Sequence, residues 1–366
     1  MLDWCAAEES RLLRFARAPV GRHGDAAYLG PDGRPLPIAT PTFMTARMAH
    51  VYSLATRRGH TGAAAVAGRL IARLGELGTR NWPDRPDAAG PPFALYTLSF
   101  VLLAAASASA AGVPGAAALL AASLARLDQA FLDPDARPID RVDADDRPLP
   151  YRGLNSAMHL TEALHAVADV TGDERYREPA LRISQFVIDE AAGRSQRILE
   201  HYQGNWCPLP DFHRDRPDDV FRPYGSTVGH GFEWSRLIAQ TGTHRDAALA
   251  LYQRAVTDGW DGTGFRYTVD WDGTPVSRRR RHWVAAEALA AASVLSRTFP
   301  EVIPDVPRWA AHIRTYFVDE SLGSWIPEPE LGPGQPKPDL YHAVQAVLIP
   351  QLPVATSLLA AIRSPG

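Results

Sequence analysis

Residues 88–125 read AAGPPFALYTLSFVLLAAASASAAGVPGAAALLAASLA, without one charged side chain. About 20 apolar residues suffice to cross a bilayer, so the length alone admits a membrane span. Gly112-Val113-Pro114-Gly115 interrupts the run, however, and Ala, Ser and Pro dilute it. Glycine and proline at that density mark a turn. The stretch therefore predicts two helices, apolar all round and buried, joined by a short turn.

The same grammar extends outward. Helical periodicity places helices at about 5–17, 41–58, 62–78, 93–111, 115–130, 154–171, 174–192, 226–242, 246–258, 281–298, 304–319 and 339–349. Short turns containing Gly (RRGHTG, AGVPG, TGDERY, TGTHRD) join neighbours into antiparallel hairpins. Longer Pro- and Asp-rich connections such as DPDARPIDRVDADDRPLPYRG follow the pairs, and GFRYTVDWDGTPVSR reads as a β-hairpin turning at Asp272-Gly273. A solenoid would carry a shared repeat, and none is present. The expectation is an all-α chain, one (α/α)6-barrel catalytic domain over 1–366, with inner helices second in each pair and hence even-numbered.

Composition narrows the partners. Hydrophobic residues make up 46% and charged residues 22% of the chain, an ordinary globular balance. A net charge of −3 gives no reason to expect nucleic acid or an anionic membrane. Cys5 and Cys207 are the only cysteines, which excludes a disulfide framework or thiolate metal site and favours the cytoplasm. The start, MLDWCAAEESRLLRFARA, lacks the basic and apolar regions of a secretory signal. A monomer or homodimer is expected.

Polar residues then sort onto the even-numbered helices: Arg47, His159 with Glu162, His230 with Glu233, His282 with Glu287, and His342. Such residues are costly inside a ring unless they line a cavity. Singly, each is more simply a buried group bonded to a loop; converging on one end, they predict a pocket. In VGHGFEW (228–234) His230 stands where a loop becomes a helix, and the helix dipole there favours neutral imidazole. Glu233, three residues on, shares its face.

Metal and cofactor chemistries fit poorly. No H-E-x-x-H occurs, and the single Glu162-x-x-His165 lacks the second copy that a di-iron bundle needs. His159, His230 and His342 are a rival zinc set. Nucleotide-binding and G-x-S-x-G signatures are absent from the sequence. Glu233 and Glu287 are candidates for glycoside hydrolysis, but imidazoles predominate and suit proton transfer beside a carbonyl. Tyr52, Trp206, Trp234, Trp283 and Trp325 could face a sugar ring, although packing explains each equally well. The residues alone lead to an acid/base enzyme for a sugar, with no cofactor and no metal.

TARMAHVYSLA (45–55), RGLNSAMHLTEAL (152–164), YGSTVGHGFEWSRL (224–237), TVDWDG (268–273), HWVAAEAL (282–289) and KPDLYHAVQAVLIPQLP (337–353) follow one another over most of the chain. Together they resemble the N-acylglucosamine 2-epimerase superfamily, in its aldose–ketose isomerase branch of mannose and sulfoquinovose isomerases. The resemblance implies a cofactor-free interconversion of mannose and fructose, with lyxose and xylulose as a further pair, through a cis-enediol(ate). It makes His230 and His342 the acid/base pair, with His230 the choice for ring opening. Arg47 stabilises enediolate charge, and Glu233 orients His230. Glu287 with His159 holds hydroxyls, and Asn155, Tyr96, Trp283 and Trp325 complete the sugar site.

Departures from the family pattern are visible. Leu98 stands where a Tyr-x-His histidine is common, and Ile326-Pro327 replaces a polar pair. His282 reads as a helix-start cap after the basic run 278–281, itself a solvated face. Val220, Pro327 and Pro338 occupy positions where sulfosugar enzymes carry Arg or Gln, so a neutral C6 hydroxyl is expected, with Arg222 structural. The alternatives are a 2-epimerase, a sulfoquinovose isomerase, and a non-catalytic sugar-binding protein on the same barrel.

Overall fold

The computed structural model describes residues 1–16, 24–30, 33–78, 80–87, 90–320, 323–332 and 339–362. Pro338 and Lys337 lie outside them. The helices are α1 (Leu2–Phe15), α2 (Thr42–Arg57), α3 (Ala63–Leu77), α4 (Leu95–Ala110), α5 (Ala116–Arg126), α6 (Leu154–Thr171), α7 (Arg177–Ala192), α8 (Val228–Gln240), α9 (Arg245–Gly259), α10 (His282–Leu295), α11 (Asp305–Tyr316), α12 (Tyr341–Leu348) and the short α13 (Leu358–Ala361). A π turn at Leu127–Phe131 extends α5, and a 3-10 turn at Ile349–Gln351 extends α12.

Contacts between elements define the ring. α2 packs on α4, α4 on α6, α6 on α8, α8 on α10, α10 on α12, and α12 on α2 again. Behind them α3, α5, α7, α9 and α11 each back the preceding inner helix, and α1 backs α12. Even-numbered helices are thus inner, as expected. The pairing is shifted by one: each short turn leads outward from an inner helix, so the inner helix is first in its hairpin. α12 and α1, from opposite ends of the chain, form the sixth pair.

Position in the ring explains the sequence of each helix. An inner helix meets neighbours on both flanks and an outer helix behind, so every residue of α8 and of α12 is buried. α4 mixes Leu95, Phe100, Val101 and Leu102 with small Ala104–Ala108, which lets α2 and α6 approach closely. Each large side chain so buried contributes roughly 1.5–3 kcal/mol. α3, by contrast, buries one stripe, Val66, Leu70, Ile71 and Leu74. The uncharged run 88–125 accordingly yields α4 and α5, turned by Gly112 and Gly115 at φ 68° and 82°. Among the described residues no helix is long and apolar enough to cross a membrane.

The longer connections lie at the opposite end from the tight turns and are stitched by small strands. β1 (Phe93–Ala94) pairs with β2 (Arg141–Val142), and β3 (Tyr151–Gly153) with β4 (His201–Gln203). β5 (Ser226–Thr227) pairs with β6 (Thr268–Val269), which pairs with β7 (Pro275–Ser277). The β6–β7 hairpin is the one expected from the sequence. β1, β3 and β5 each run straight into an inner helix, so the stitched rim aims the first turns of α4, α6 and α8.

Candidate active site

The first turns of the inner helices point into a cavity of about 250 Å³ at the rim end. Tyr96 comes from α4, Asn155 and His159 from α6, His230 and Glu233 from α8, His282 and Trp283 from α10, and His342 from α12; all line it, with Arg47 of α2. Its size is just below the usual range for ligand pockets, roughly 300–1,000 Å³. Of the ten residues expected to form the site, eight line this cavity.

Two imidazoles are held alike. His230 Nδ1 is 2.6 Å from Glu200 Oε1, and His342 Nδ1 is 2.8 Å from Glu287 Oε1. A carboxylate only accepts, so Nδ1 carries the hydrogen and Nε2 keeps its lone pair. Trp283 stands beside both rings, with centroids 5.3 Å from His230 and 5.6 Å from His342. Burial lowers the pKa of His342, although Glu287 opposes it. Burial likewise raises the Glu287 carboxyl, but Arg236 and His342 outweigh it and bring the group to about 2.

This geometry corrects two expectations. The carboxylate behind His230 is Glu200, from the loop before β4, and not Glu233. Glu287 is fully buried behind His342 and positions that ring instead of holding a hydroxyl. Glu200 was missed because no helical spacing links a loop residue to α8; strand β4, pairing with β3, is what delivers it.

Arg47 is caged. Its guanidinium lies 4.2 Å from the Phe100 ring centre and 4.8 Å from that of Tyr341. Nη2 donates to Tyr96 Oη (2.7 Å) and Nη1 to Asp339 Oδ2 (3.3 Å). Burial works against its charge, but Tyr96 and Asp339 more than offset this and Arg47 stays cationic. Asp339 also accepts the Tyr341 N–H (3.0 Å), which ties Arg47 to the start of α12. Burial pushes the Tyr96 hydroxyl up to about 12, so it stays neutral. Leu98, where a histidine is common, is core.

Under the cavity runs a buried ionic network. Arg236 donates to Glu287 Oε2 (3.0 Å) and Gln240 Oε1 (3.2 Å), with Nη2 3.6 Å from Glu233 Oε1. Glu162 accepts from the Tyr341 hydroxyl and from Gln345 Nε2 (3.1 Å). Burial, then Glu287, raises the Glu233 pKa well above the carboxylate range, so Glu233 holds its proton. Both Glu233 oxygens lack a hydrogen-bond partner, and His159 Nδ1 is 3.7 Å away. Burial, then Arg47, keeps His159 neutral.

Metal-ligand groupings exist here, but neither is the rival three-histidine set. His159, Glu162 and Glu233 gather within 4.8 Å, as do Glu233, Glu287 and His342; His159, His230 and His342 form no such group among the described residues. The Arg236 guanidinium stands 3.0 Å from Glu287 and already supplies the cation that this carboxylate needs.

The rim departs from expectation too. The basic run is a solvated face only in part: Arg278 is exposed, but Arg281 is buried, lies 3.9 Å over the Tyr267 ring and 3.3 Å from Glu328. Arg279 donates to the same Glu328 (2.7 Å), and Arg280 to Asp261 (3.0 Å). His282 lines the cavity and its N–H is bonded to Pro327 O (3.0 Å). Trp325, expected at the sugar, is outside the cavity, where its Nε1 donates to Glu8 (2.7 Å) and pins α1. Trp206 packs on Phe186 and Tyr202, and Tyr52 donates to Leu13 O (2.8 Å). Arg222 is structural: it donates to Asp140 (2.9 Å) and covers Tyr151.

A ring of twelve helices with carboxylate-backed imidazoles and a caged arginine at one mouth defines the class of (α/α)6-barrel sugar isomerases and epimerases. Residues 24–346 match the model of the N-acylglucosamine 2-epimerase (GlcNAc 2-epimerase) family. The chain belongs to that family. It is 42% identical to a D-mannose isomerase of Thermobifida fusca, across 99% of this chain and 97% of that one. It is 38% identical to a D-mannose isomerase of Pseudomonas cannabina pv. alisalensis, across 98% and 95%. Among solved structures, a D-mannose isomerase superposes with TM-score 0.85 at 22% identity, covering 95% of this chain and 97% of that one. A cellobiose 2-epimerase from Spirochaeta thermophila gives 0.80 at 20%, covering 95% of each.

Proposed function

We propose that this protein is a cofactor-independent aldose–ketose isomerase that interconverts D-mannose and D-fructose, with D-lyxose and D-xylulose as a further pair. The observation that carries the reading is the pair of imidazoles, each fixed by a carboxylate at Nδ1, facing one cavity with a buried arginine. Relatives at 42% and 38% identity over nearly the whole chain carry the name D-mannose isomerase, which supports this substrate.

In this reading His230 opens the pyranose ring by shuttling a proton between ring oxygen and O1. His342 Nε2 then takes the C2 proton, the C2 electron pair becomes the C1–C2 double bond, and negative charge gathers on O1. Arg47 balances that charge, which exists only along the reaction path. The O2 proton passes to O1, and His342 returns its proton to C1 as the C2=O2 bond forms, giving the ketose. Protonated Glu233 and neutral His159 hold substrate hydroxyls, together with Asn155. Arg47 is paired with Asp339 and Arg281 with Glu328, so among the described residues the cavity offers no spare cation for a C6 anion.

The test is incubation with mannose in heavy water, followed by NMR. Fructose bearing deuterium at C1 is expected. Glucose as the main product would make the enzyme an epimerase, and unlabelled fructose would overturn proton transfer through an exchanging imidazole. In the same assay kcat/KM should be higher for mannose than for sulfoquinovose; the reverse order would overturn the neutral-sugar assignment.

A further inference from the structure

Beside the reaction cavity lies a second one of about 270 Å³, against α2, α4 and α6. Phe43, Tyr96, Asn155 and Phe221 stand in the walls of both. Three of these come from inner helices. Phe221 is the shared wall residue that comes from a loop, the one before β5, and its ring lies edge-on to Phe43 (6.0 Å) and Tyr96 (5.9 Å). The loop on either side is anchored. Asp219 Oδ1 accepts from the Phe221 and Arg222 N–H groups (3.0 and 2.9 Å), and Arg222 is held by Asp140. Phe221 nevertheless remains 49% exposed and its neighbour Val220 60%.

The second cavity has the chemistry of a sugar site. Its charges are matched, Arg222 with Asp140 (2.9 Å) and Arg141 with Asp84 (3.2 Å) within the lining, and Arg85 with Asp87 just outside it (2.8 Å). Ser156 also donates to Asp140 and Thr97 to Asp84. Paired charges present hydrogen-bonding edges without net field, which suits hydroxyl groups better than an anion. Aromatic faces come from Phe43, Tyr96, Tyr151 and Phe221. On the shared wall, Asn155 Oδ1 is buried without a hydrogen-bond partner. A buried acceptor of that kind is costly until a donor reaches it, and a hydroxyl from either cavity would serve.

We infer that Phe221 is the size-selecting residue of the site. It divides one trough into two chambers of nearly equal volume, so that a free hexose fits the reaction cavity, while the second chamber is an accessory site for one more neutral pyranose ring. With Phe221 in place, a glycosyl group on the reacting sugar collides with the partition. With the ring removed, that group enters the second chamber and packs on Phe43 and Tyr151. This inference rests on the reading of the first cavity as an aldose site.

The experiment compares Phe221→Ala, Phe221→Trp and the unmodified enzyme on mannose and on β-1,4-mannobiose, with disaccharide binding also measured by calorimetry. The ratio of kcat/KM for mannobiose to that for mannose should rise about tenfold or more in Phe221→Ala, within the range a reshaped pocket provides, and stay low in Phe221→Trp. Mannobiose should bind Phe221→Ala more tightly than the unmodified enzyme. An unchanged ratio in a Phe221→Ala enzyme that still isomerises mannose would overturn the inference, as would an unmodified enzyme that uses mannobiose as well as mannose. An unmodified enzyme inert to mannose would instead overturn the underlying reading; tighter mannobiose binding by Phe221→Ala would then still support the partition. Should Phe221→Ala fail to fold, Phe221→Leu makes the same comparison.

Discussion

Glu200 Oε1 lies 2.6 Å from His230 Nδ1, and that contact decides what the opposite nitrogen can do. A glutamine there can offer its NH2 to Nδ1, which reverses the tautomer and spends the Nε2 lone pair. Glu200→Gln should therefore lower turnover nearly as far as His230→Ala or His342→Ala, by roughly 10²–10⁴-fold. Circular dichroism should be unchanged in all three variants. Near-wild-type turnover in Glu200→Gln would remove the tautomer argument. The histidines and Arg47 were legible because helical spacing placed them on one end of the inner helices. Glu200 was not, since only the β3–β4 pairing brings it near. Arg236 carries the same spacing signal, three residues after Glu233, as Glu233 does after His230, so spacing alone does not choose between the two partners. Trp325 carried no signal separating a sugar-facing indole from one bonded to Glu8.

At the scale of the element, the glycines of VGHGFEW have separate reasons. A Cβ on Gly229 would fall 2.1 Å from Cζ3 of Trp283, the indole beside both imidazoles, whereas one on Gly231 would come 3.1 Å from Ala255 Cβ on α9. Alanine at 229 would gain about 1 kcal/mol of helix propensity, but the ring it strikes has rigid neighbours. Gly229→Ala should lose about 1–3 kcal/mol in urea unfolding, the usual cost of overpacking. It should also lower kcat, because Trp283 must move; unchanged stability and rate would show that α10 yields freely. Helix positions were readable to within a few residues because outer helices are striped, inner ones are apolar and small, and Gly-rich turns separate them. Of the rim strands only the β6–β7 hairpin was readable, from its Asp272-Gly273 turn. β1, β2 and β5 have two residues each, too few for alternation to register. The shifted pairing escaped notice because parity is the same whichever partner an inner helix takes.

Across the whole molecule, buried imidazoles set the response to acid. Burial lowers His50 to about 3, and His165 and His312 to about 4. An unfolded chain protonates these groups below about 6.5, while the folded one resists until about 3–4, so acid favours unfolding. Their contribution is complete above pH 6.5 and is lost as pH falls through the folded values. The urea midpoint should drop steadily from pH 7 to pH 4.5, and a flat midpoint would contradict the buried neutral state. Closure of the ring by α12 against α1 and α2 bears, finally, on how the protein is made. A ribosome adds about 5–20 residues per second, so tens of seconds separate the emergence of α1 from that of α12. Throughout that interval α1 lacks α12, the inner helix it backs, although Tyr52 of α2 can already reach Leu13 O. The nascent chain also lacks His342. The ring therefore cannot close before α12 has been made, and a holdase chaperone that shields α1 should raise the yield of folded protein.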